Sequence, residues 1–437
     1  MLTTTFLTGE YPPMQGGIAD YTANLADHLT KHNVQPTVLI THRWQQISQS
    51  LISNLPSPIS PSPHLQSQVY PTLPNWGWRC WPAITQFLNQ HRPDILHIQY
   101  QAAAFDLGGW INWLPWYLKK RGRPIRLVTT FHDLRIPYIF PKAGRFRWQS
   151  ILALARHSDA VICTNREDLK TLQLELNLLN SQSPTSNLVS ASLDSQIQSP
   201  QLHSSFSTLH SPFLTVIPLG TNIDPQPPVG FNRTEWRKKY HADDQSLLLA
   251  YFGFLNESKG GEELIEAVAI LRQQGIDARL LFIGGDIGHA DPTNVAYAER
   301  VQTMISQHKL SDVVYRTGYV EQTEVSANLL AADAVVLPYR DGVSFRRTTL
   351  IAALRHGCPV VSTTPHDPDL IPEIQPGQNM LLAPPGDAPG LAQVIAPLHN
   401  NADLWRKLAS GAKQLGDLFE WSRIAAETAG VYQRIMS

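Results

Sequence analysis

Short apolar segments with strand character alternate with helix-patterned segments along almost the whole chain, and this alternation is the strongest constraint on the fold. One series of strand candidates covers residues 3–8, 35–41, 94–100, 126–132, 160–165 and 215–220. A second series covers 246–254, 278–285, 313–320, 334–339 and 359–363. Strands that alternate with helices form parallel βαβ units covered on both faces. The pattern therefore predicts an α/β protein with two doubly wound, Rossmann-like domains.

The length of 437 residues also favours two domains, since a single core seldom grows so large. We place the N-terminal domain at 1–220 and the C-terminal domain at 221–417. We expect a final helix, about 418–437, to join the N-terminal domain. Two polar segments break the alternation: 49–75 is rich in Ser and Pro, and 178–212 has the composition of a flexible surface insertion.

Composition excludes several classes of function. The formal charge is −1 and no long basic run is present, which argues against a nucleic-acid partner. Cys80, Cys163 and Cys358 lie too far apart to match a metal-ligand spacing, so we expect buried thiols, a reducing compartment and no metal site. No apolar stretch approaches the ~20 residues that span a bilayer, and the first residues do not resemble a signal peptide. We expect a cytoplasmic protein.

Polar residues that follow the strands are the candidate site residues, because ligands of parallel sheets bind beyond the carboxyl ends of the strands. His132 ends a strand, where it can hydrogen-bond a substrate hydroxyl or a transferring group, or play a structural role. The pair Gly16-Gly17 precedes a helix and forms an anion-receptive turn, or serves the turn geometry alone. The remaining candidates at strand ends in this half are Gln99, Gln101, Asp133 and Asn165.

Residues 337–363 form the most informative stretch of the second half. We predict a strand, a turn at Asp341 and Gly342, a helix over about 345–356 and a further strand. This arrangement places Gly342, Val343 and Ser344 at a helix N-terminus, where free N–H groups and the helix dipole favour an anion. Arg346 and Arg347 then lie in the first turn and suit a diphosphate. Alternatively, both arginines are solvated or pair with carboxylates.

The first strand of the second half ends at Gly253 and leads to Lys259 at the start of a helix. Lys259 is therefore a second candidate phosphate-binding cation, or an ordinary surface lysine.

The segment 110–123, WINWLPWYLKKRGR, combines three tryptophans with a basic end. This pattern is typical of an interfacial helix whose aromatic side chains lie at headgroup depth, which would give peripheral contact with the inner face of a membrane. The alternative is a core-packing helix followed by a basic turn.

Ten segments in order carry a resemblance to a known family: GEYPPMQGGIADYTANLADHL, DILHIQYQ, TTFHD, VIPLGTNID, FGFLNESKG, LLFIGG, RTGYV, LLAADAVVLPYRDG, AALRHGCPVVST and NMLLAPPGD. The chain resembles the family 4 glycosyltransferases. The resemblance implies the GT-B fold, with two Rossmann-like domains facing across a cleft. It implies retaining transfer of a sugar from a nucleotide diphosphate sugar to a glycan or lipid-linked acceptor, in polysaccharide or glycolipid biosynthesis. It implies no metal and no cofactor beyond the nucleotide sugar as co-substrate.

The resemblance also implies residue roles. His132 matches a histidine near the transferring sugar, and Lys259 matches a lysine that neutralises the donor phosphates. Gly16 and Gly17 would approach the donor diphosphate or the acceptor. The loop 342–344 would supply backbone amides to the diphosphate.

Two departures from the family pattern are visible. Phe254 stands where an arginine often partners the lysine, and the usual pair of glutamates is missing, with Val343 and Ile351 at their positions. Asp341 could replace the first glutamate, and Arg346 or Arg347 the arginine. These departures leave open a rival function, a catalytically decayed module that binds nucleotide sugars or glycans.

Overall fold

The computed structural model describes residues 1–14, 16–53, 67–134, 144–181, 211–285 and 292–437. The chain divides into two compact units. The first, here called the N-terminal domain, comprises Met1–Ile217 and Ile424–Ser437. The second, the C-terminal domain, comprises Pro218–Arg423.

The N-terminal domain is built on a seven-stranded parallel sheet in the order β3-β2-β1-β4-β5-β6-β7. Its strands are β1 Leu2–Thr8, β2 Val34–Thr41, β3 Gln68–Leu73, β4 Ile95–Tyr100, β5 Arg126–Phe131, β6 Ala160–Cys163 and β7 Phe213–Val216. Its helices are α1 Gly17–Leu29, α2 Arg43–Ser53, α3 Cys80–His91, α4 Leu114–Lys120, α5 Gly144–His157 and α6 Arg166–Ser181. Every residue of β4 is buried, as expected of a central strand that is covered on both faces.

The C-terminal domain has a six-stranded parallel sheet in the order β10-β9-β8-β11-β12-β13. Its strands are β8 Leu247–Phe252, β9 Ala278–Ile283, β10 Val314–Arg316, β11 Ala334–Leu337, β12 Val360–Thr363 and β13 Leu381–Ala383. Its helices are α7 Arg233–Lys238, α8 Gly261–Gln273, α9 Pro292–Gln307, α10 Gln322–Ala331, α11 Thr348–Arg355, α12 Ala388–Ile395 and α13 Ala402–Gly416. The predicted α/β class with two doubly wound parallel sheets is confirmed.

Both sheets contain a point where the strand order reverses. In the N-terminal sheet the chain moves outward from β1 to β3 and then returns to place β4 beside β1. In the C-terminal sheet β11 returns to β8 in the same way. A crevice opens beyond the carboxyl ends of the two strands at such a switch point, and ligands bind there. The loops after β1, β4, β8 and β11 are therefore the places to examine for function.

The last helix, α14, covers Trp421–Met436, and from Ile424 onward it belongs to the N-terminal domain. Its buried side chains include Ile424, Ala425, Thr428 and Tyr432, at the spacing of one helical face. The Tyr432 hydroxyl lies 2.6 Å from Nδ1 of His97 on β4, so this helix is bonded to the first sheet.

Two predictions from sequence need correction, and a third lies mostly outside the described residues. The segment 49–75 is not wholly irregular, because it contains the end of α2 and all of β3. β3 is an edge strand with mostly half-buried side chains, which gives little hydrophobic pattern. The helix predicted to begin at about residue 345 begins at Thr348. Most of the predicted insertion at 178–212 lies outside the described residues.

Candidate active site

The loop after β8 carries Lys259 to the switch point of the C-terminal sheet. The chain leaves β8 through Gly253, which has φ 115°, and makes a single 3-10 turn over Glu257–Lys259 before α8. The Lys259 ammonium donates a hydrogen bond to the carbonyl oxygen of Phe254 at 2.9 Å. Gly260 has φ 69°, and a side chain there would collide with the carbonyl oxygen of Pro338 at the end of β11. The lysine is thus held where the loops after β8 and β11 meet.

The start of α11 lies beside Lys259. A Cβ placed on Gly253 would lie 3.0 Å from Cγ2 of Thr349 and 3.4 Å from Nζ of Lys259. Thr349 belongs to the first turn of α11, whose N–H groups have no partner within the helix. The positive end of the helix dipole adds to the lysine charge at this point. The lysine and the helix N-terminus thus lie close together beside Gly253, an arrangement that can attract an anion.

Arg347 is the second cationic side chain in this region. Its Nη2 donates to both carboxylate oxygens of Asp341, at 2.8 and 2.6 Å, and its guanidinium lies 4.7 Å from the centroid of the Tyr339 ring. The Tyr339 hydroxyl is 3.3 Å from Oγ1 of Thr349. Of the two alternatives predicted for Arg347, the structure shows the pairing with a carboxylate, and binding of a diphosphate stays a prediction.

The electrostatic surroundings of Lys259 include Arg347. Burial and, secondarily, the charge of Arg347 lower the pKa of Lys259 to about 8. A negative neighbour favours the charged form of a lysine, so an added anion would raise this pKa.

The loop 342–344 does not lie where the sequence placed it. It precedes α11 by several residues, and the amides of Gly342 and Val343 donate to the carbonyl oxygens of Tyr339 and Thr363. Those two N–H groups are committed to the protein itself, so their predicted place at a helix N-terminus is wrong. Arg347 is extended, with φ −97° and ψ 101°, and this extended residue delays the helix to Thr348. The amide of Arg346 contacts Oγ of Ser344 at 3.4 Å.

Sequence reasoning missed Arg340, which lies in the loop just beyond β11. Its amide donates to the carbonyl oxygen of Ser258 at 2.9 Å. Its guanidinium donates to Glu263 at 2.6 Å and to Glu262 at 2.7 Å. The hydrogen bond to Glu263 is the main reason that the pKa of Arg340 is raised. Arg340 thus ties the Lys259 turn to α8, and its place just after a strand at the switch point was the available signal.

Val343 and Ile351, which we predicted at the positions of the family glutamates, are core side chains. Val343 is 3% exposed and Ile351 is fully buried, and both belong to the apolar core of the C-terminal domain. Phe254, which we predicted at the position of the family arginine, is 51% exposed in the loop after β8. Neither Val343 nor Ile351 can present its side chain to a ligand in this arrangement.

His132 lies at the carboxyl end of β5 in the N-terminal domain. Its Nε2 is 2.8 Å from the amide oxygen of Gln99, and its ring meets the ring of Tyr21 edge-on at 4.7 Å between centroids. Burial lowers the pKa of His132 to about 3, so the ring is neutral at physiological pH. Gln99 is fully buried, and its contact with His132 helps to hold the histidine ring in place.

The other candidate residues predicted in the N-terminal half have different surroundings. Asn165 caps α6, since its side-chain oxygen accepts from the amide of Asp168 at 2.8 Å, which gives it a structural task. Gln101 and Asp133 are half-buried just beyond β4 and β5. Gly17 is exposed at the first position of α1. A Cβ on Gly16 would collide with the carboxylate of Glu10, so an acidic group already lies beside this turn.

A cavity of about 480 Å³ lies in the N-terminal domain at the end of β1. Its polar groups are Glu10, Arg43 and Asp106, and Met14, Ile47 and Ala104 supply apolar surface. Burial raises the pKa of Glu10, while the charge of Arg43 lowers it. A cavity with a few charged groups and apolar walls has the general character of a small-molecule site. Sequence reasoning did not single out these residues, although Glu10 lies in the loop just beyond β1.

The tryptophan segment is partly buried and partly on the surface. Ile111, Leu114 and Leu118 are fully buried, so the aliphatic side chains do the packing. Trp78, Trp110 and Trp116 are 59%, 45% and 37% exposed, with Arg79, Lys120 and Arg121 over nearby rings. We call these six residues the tryptophan surface. In the described parts of the chain, no helix has the length and apolar character needed to cross a bilayer.

Comparisons with known proteins agree with this architecture. A family model described as Glycosyltransferase Family 4 matches residues 15–178, and one described as Glycosyl transferases group 1 matches 246–401. The putative colanic acid biosynthesis glycosyltransferase WcaL of Escherichia coli K12 is 35% identical over 147 residues, which is 32% of this chain and 33% of that protein. The alpha-D-kanosaminyltransferase of Streptomyces kanamyceticus is 27% identical over 205 residues, 46% of this chain and 49% of that one. The chain thus spans half or less of these curated relatives.

Solved structures match over the whole chain. Sucrose-phosphate synthase from Thermosynechococcus elongatus superposes with a TM-score of 0.67 at 18% identity, covering 100% of this chain and 99% of that one. The Anabaena protein HepE, in complex with UDP, superposes with a TM-score of 0.68 at 16% identity, covering 99% and 100%. Likeness at this identity establishes the fold, which is GT-B. With both domain models matched in order, the chain belongs to glycosyltransferase family 4.

Proposed function

We propose that this protein is a glycosyltransferase that moves a sugar from a nucleotide diphosphate sugar to a glycan or lipid-linked acceptor, with retention and without a metal ion. The observation that carries the proposal is the meeting of Lys259, Gly253 and the first turn of α11 at the switch point of the C-terminal sheet. Three positive elements converge there, since Arg347 adds its charge. That arrangement suits the charge that develops on a departing diphosphate.

The proposed transfer reaction needs few further groups from the protein. Lys259, Arg347 and the N-terminus of α11 stabilise the leaving diphosphate, the role that a metal ion plays elsewhere. The acceptor hydroxyl attacks from the face that the leaving group vacates, and its proton passes to the leaving phosphate. His132, neutral at physiological pH, hydrogen-bonds the transferring sugar or the acceptor hydroxyl rather than supplying charge.

Binding measurements test the donor part of this proposal. We would record thermal shifts with UDP, GDP, ADP and dTDP in the presence of a chelator. UDP comes first, since HepE was solved with UDP and with UDP-glucose. We expect one nucleotide to stabilise the wild type and the Lys259→Ala variant to lose that shift. Lys407→Ala, a change of an exposed lysine in the same domain, should keep it. A shift that survives Lys259→Ala would contradict the assigned phosphate site.

The family matches do not favour the rival candidate, a module on the same scaffold that binds nucleotide sugars or glycans without transfer. Both candidates require nucleotide binding, so turnover separates them. The release of nucleoside diphosphate from the bound nucleotide sugar, alone or with a mixture of glycan and lipid-linked acceptors, is expected of a transferase. Binding with no release under any of these conditions would support the module instead.

The tryptophan surface favours peripheral contact with an anionic membrane, which would bring a lipid-linked acceptor within reach. Exposed tryptophans beside Lys120 and Arg121 suit the headgroup region of such a bilayer. We expect co-sedimentation with vesicles that contain anionic lipid, and its loss in a Trp110→Ala/Trp116→Ala double variant. Tyr319→Ala removes an aromatic ring that is 83% exposed in the other domain, and it should leave co-sedimentation intact. Equal pelleting of the double variant and the wild type would contradict this contact.

A further inference from the structure

A chain of polar side chains runs through the apolar interior of the N-terminal domain, from α14 to His132. His97, Gln99 and Thr130 are all fully buried on β4 and β5. Buried polar groups are costly unless they are hydrogen-bonded, so the pairing of each atom can be followed step by step. Beyond its bond to Tyr432, His97 places Nε2 at 2.7 Å from Oγ1 of Thr130 and at 3.3 Å from the amide nitrogen of Gln99.

The donor and acceptor roles in this chain follow from the amide of Gln99. An amide oxygen only accepts, so the contact at 2.8 Å requires a proton on Nε2 of His132. An amide nitrogen only donates, so Nε2 of His97 must be the unprotonated nitrogen of that ring. Thr130 then donates to the same lone pair, and the Nδ1–H of His97 donates to the oxygen of Tyr432 at 2.6 Å. The two histidines therefore carry their protons on different nitrogens.

We propose that Gln99 is a positioning residue that fixes His132 as the Nε2–H tautomer. The other ring nitrogen, Nδ1, then accepts hydrogen bonds and cannot donate one. The consequence for substrate binding rests on the proposed function. The substrate group that contacts Nδ1 of His132 is a hydrogen-bond donor, such as a sugar hydroxyl, and not a carbonyl or phosphoryl oxygen. The inference extends that function by giving His132 the acceptor role in the contact with substrate.

The surroundings of His132 keep this arrangement stable over a wide pH range. The titratable groups that face it are Tyr21 on α1 at its ring edge, His97 on β4 behind Gln99, and Asp133 next in the chain. Tyr432 on α14 lies behind His97. Burial lowers the pKa of both histidines to about 3, so neither gains a proton between pH 5 and 8. A protonated His97 would have no lone pair left for Gln99, and the chain would break.

Nuclear magnetic resonance tests the proposal directly. Long-range ¹H–¹⁵N correlation on protein labelled with ¹⁵N-histidine distinguishes the two tautomers of a neutral imidazole. We expect His132, assigned by its loss in His132→Gln, to show the Nε2–H pattern from pH 5 to 8, and His97 to show the Nδ1–H pattern. The Nδ1–H pattern for His132 in the wild type would overturn the proposal, and this outcome needs no variant to fold.

Variants of Gln99 distinguish a role in fixing the His132 tautomer from a role in packing alone. Gln99→Met keeps the volume and removes both hydrogen bonds, so we expect averaged nitrogen shifts for His132. Gln99→Glu places a carboxylate between the two rings, and we expect it to raise the pKa of His132 into the range of about 5 to 7. Tyr432→Phe, at the far end of the chain, should disturb His97 and leave the His132 tautomer unchanged. An unchanged His132 spectrum in Gln99→Met would also overturn the proposal.

The spectrum requires no nucleotide sugar, so it separates this inference from the proposed function. A protein that binds no nucleotide diphosphate but shows the Nε2–H pattern would contradict the function and keep the tautomer assignment. An active transferase with the other tautomer would contradict only the positioning role of Gln99.

Discussion

At the scale of single residues, the ammonium of Lys259 is the group whose charge state should govern nucleotide binding at the proposed site. Its pKa of about 8 means that the lysine begins to lose its proton just above physiological pH. We therefore expect the affinity for the selected nucleoside diphosphate to be constant below pH 7 and to fall as pH rises through 8. The fall should approach about tenfold per pH unit well above the pKa, because only the charged lysine attracts the phosphate.

Isothermal titration calorimetry between pH 6.5 and 9.5 checks this dependence. In Lys259→Ala the affinity should be weaker throughout and the fall above pH 8 should disappear. Lys407→Ala should reproduce the wild-type curve. An affinity that remains flat up to pH 9.5 in the wild type would show that Lys259 does not hold the phosphate.

Arg347 acts on the same site through its charge. Its guanidinium lowers the pKa of Lys259, so an Arg347→Gln change should raise that pKa and move the loss of affinity to higher pH. The same change removes one of the cations, and we expect the affinity at pH 7 to drop about tenfold, the range of one charge-assisted contact. Arg406→Gln, which removes an exposed arginine on α13, is the matched control. A weaker affinity with an unchanged pH midpoint would show that the two cations do not sense each other.

The candidate residues that the sequence located are those in the loops after strands. His132 follows β5, Gly253 follows β8 and Lys259 lies in the loop after β8, so the rule that parallel sheets bind ligands at strand ends was enough to select them as candidates. Thr349 and Tyr339 were not selected, because their contribution depends on where α11 begins. That start is set by the extended backbone of Arg347, which no spacing of apolar residues records. Gln99 was selected as an acceptor-side residue, but only the structure shows that it contacts His132.

At the scale of elements, the close approach of the loops after β8 and β11 makes Gly260 a sensitive position. Gly260 and Gly275 both have a positive φ, at 69° and 82°. A Cβ on Gly260 meets the carbonyl oxygen of Pro338, whereas a Cβ on Gly275 meets nothing within 4 Å. Gly275→Ala should therefore cost only the left-handed backbone strain, about 1 kcal/mol. Gly260→Ala should cost about 3 kcal/mol or more, since the backbone must also shift.

Urea denaturation of the two variants, followed in parallel with the wild type, measures this difference. Gly260→Ala should also weaken nucleotide binding, because the shift moves the turn that carries Lys259. Equal midpoints for the two glycine variants would mean that the loops do not pack as described.

The order of elements was predictable because long runs of parallel βαβ units repeat the same hydrophobic pattern. β3 and β13 escaped prediction for a physical reason: both are at sheet edges, where half-buried side chains weaken that pattern. The central strands β4 and β8 are almost wholly buried, so their apolar pattern is stronger. The sheet cores and the edge strands β7 and β10 could thus be predicted from the sequence, whereas the edge strands β3 and β13 could not.

At the scale of the whole molecule, neutral histidines with lowered pKa values make stability depend on pH. His97 and His132 have folded-state pKa values near 3, below the ordinary value of 6.5. The unfolded chain therefore binds more protons than the folded chain between pH 3 and 6.5, and stability must fall as pH falls through this window. The slope is up to about 1.4 kcal/mol per pH unit for each histidine.

We expect the urea midpoint of the N-terminal domain to decrease between pH 7 and pH 5. His132→Gln should reduce that decrease, while His308→Gln, at an exposed position of the other domain, should not. A midpoint that is the same at both pH values would contradict the burial of neutral rings in the sheet.

The return of α14 to the N-terminal domain has a consequence for how the protein is made. The strands of the first sheet leave the ribosome early, but Tyr432, the partner of His97, is synthesised only after the whole C-terminal domain. Until then, the hydrogen-bonding groups of a central strand lack their last partner, and an apolar sheet face lacks its helix. The N-terminal domain is thus the first to be translated and the last to be completed. The apolar sheet face that α14 covers must be protected while the intervening 206 residues, Pro218–Arg423, are translated.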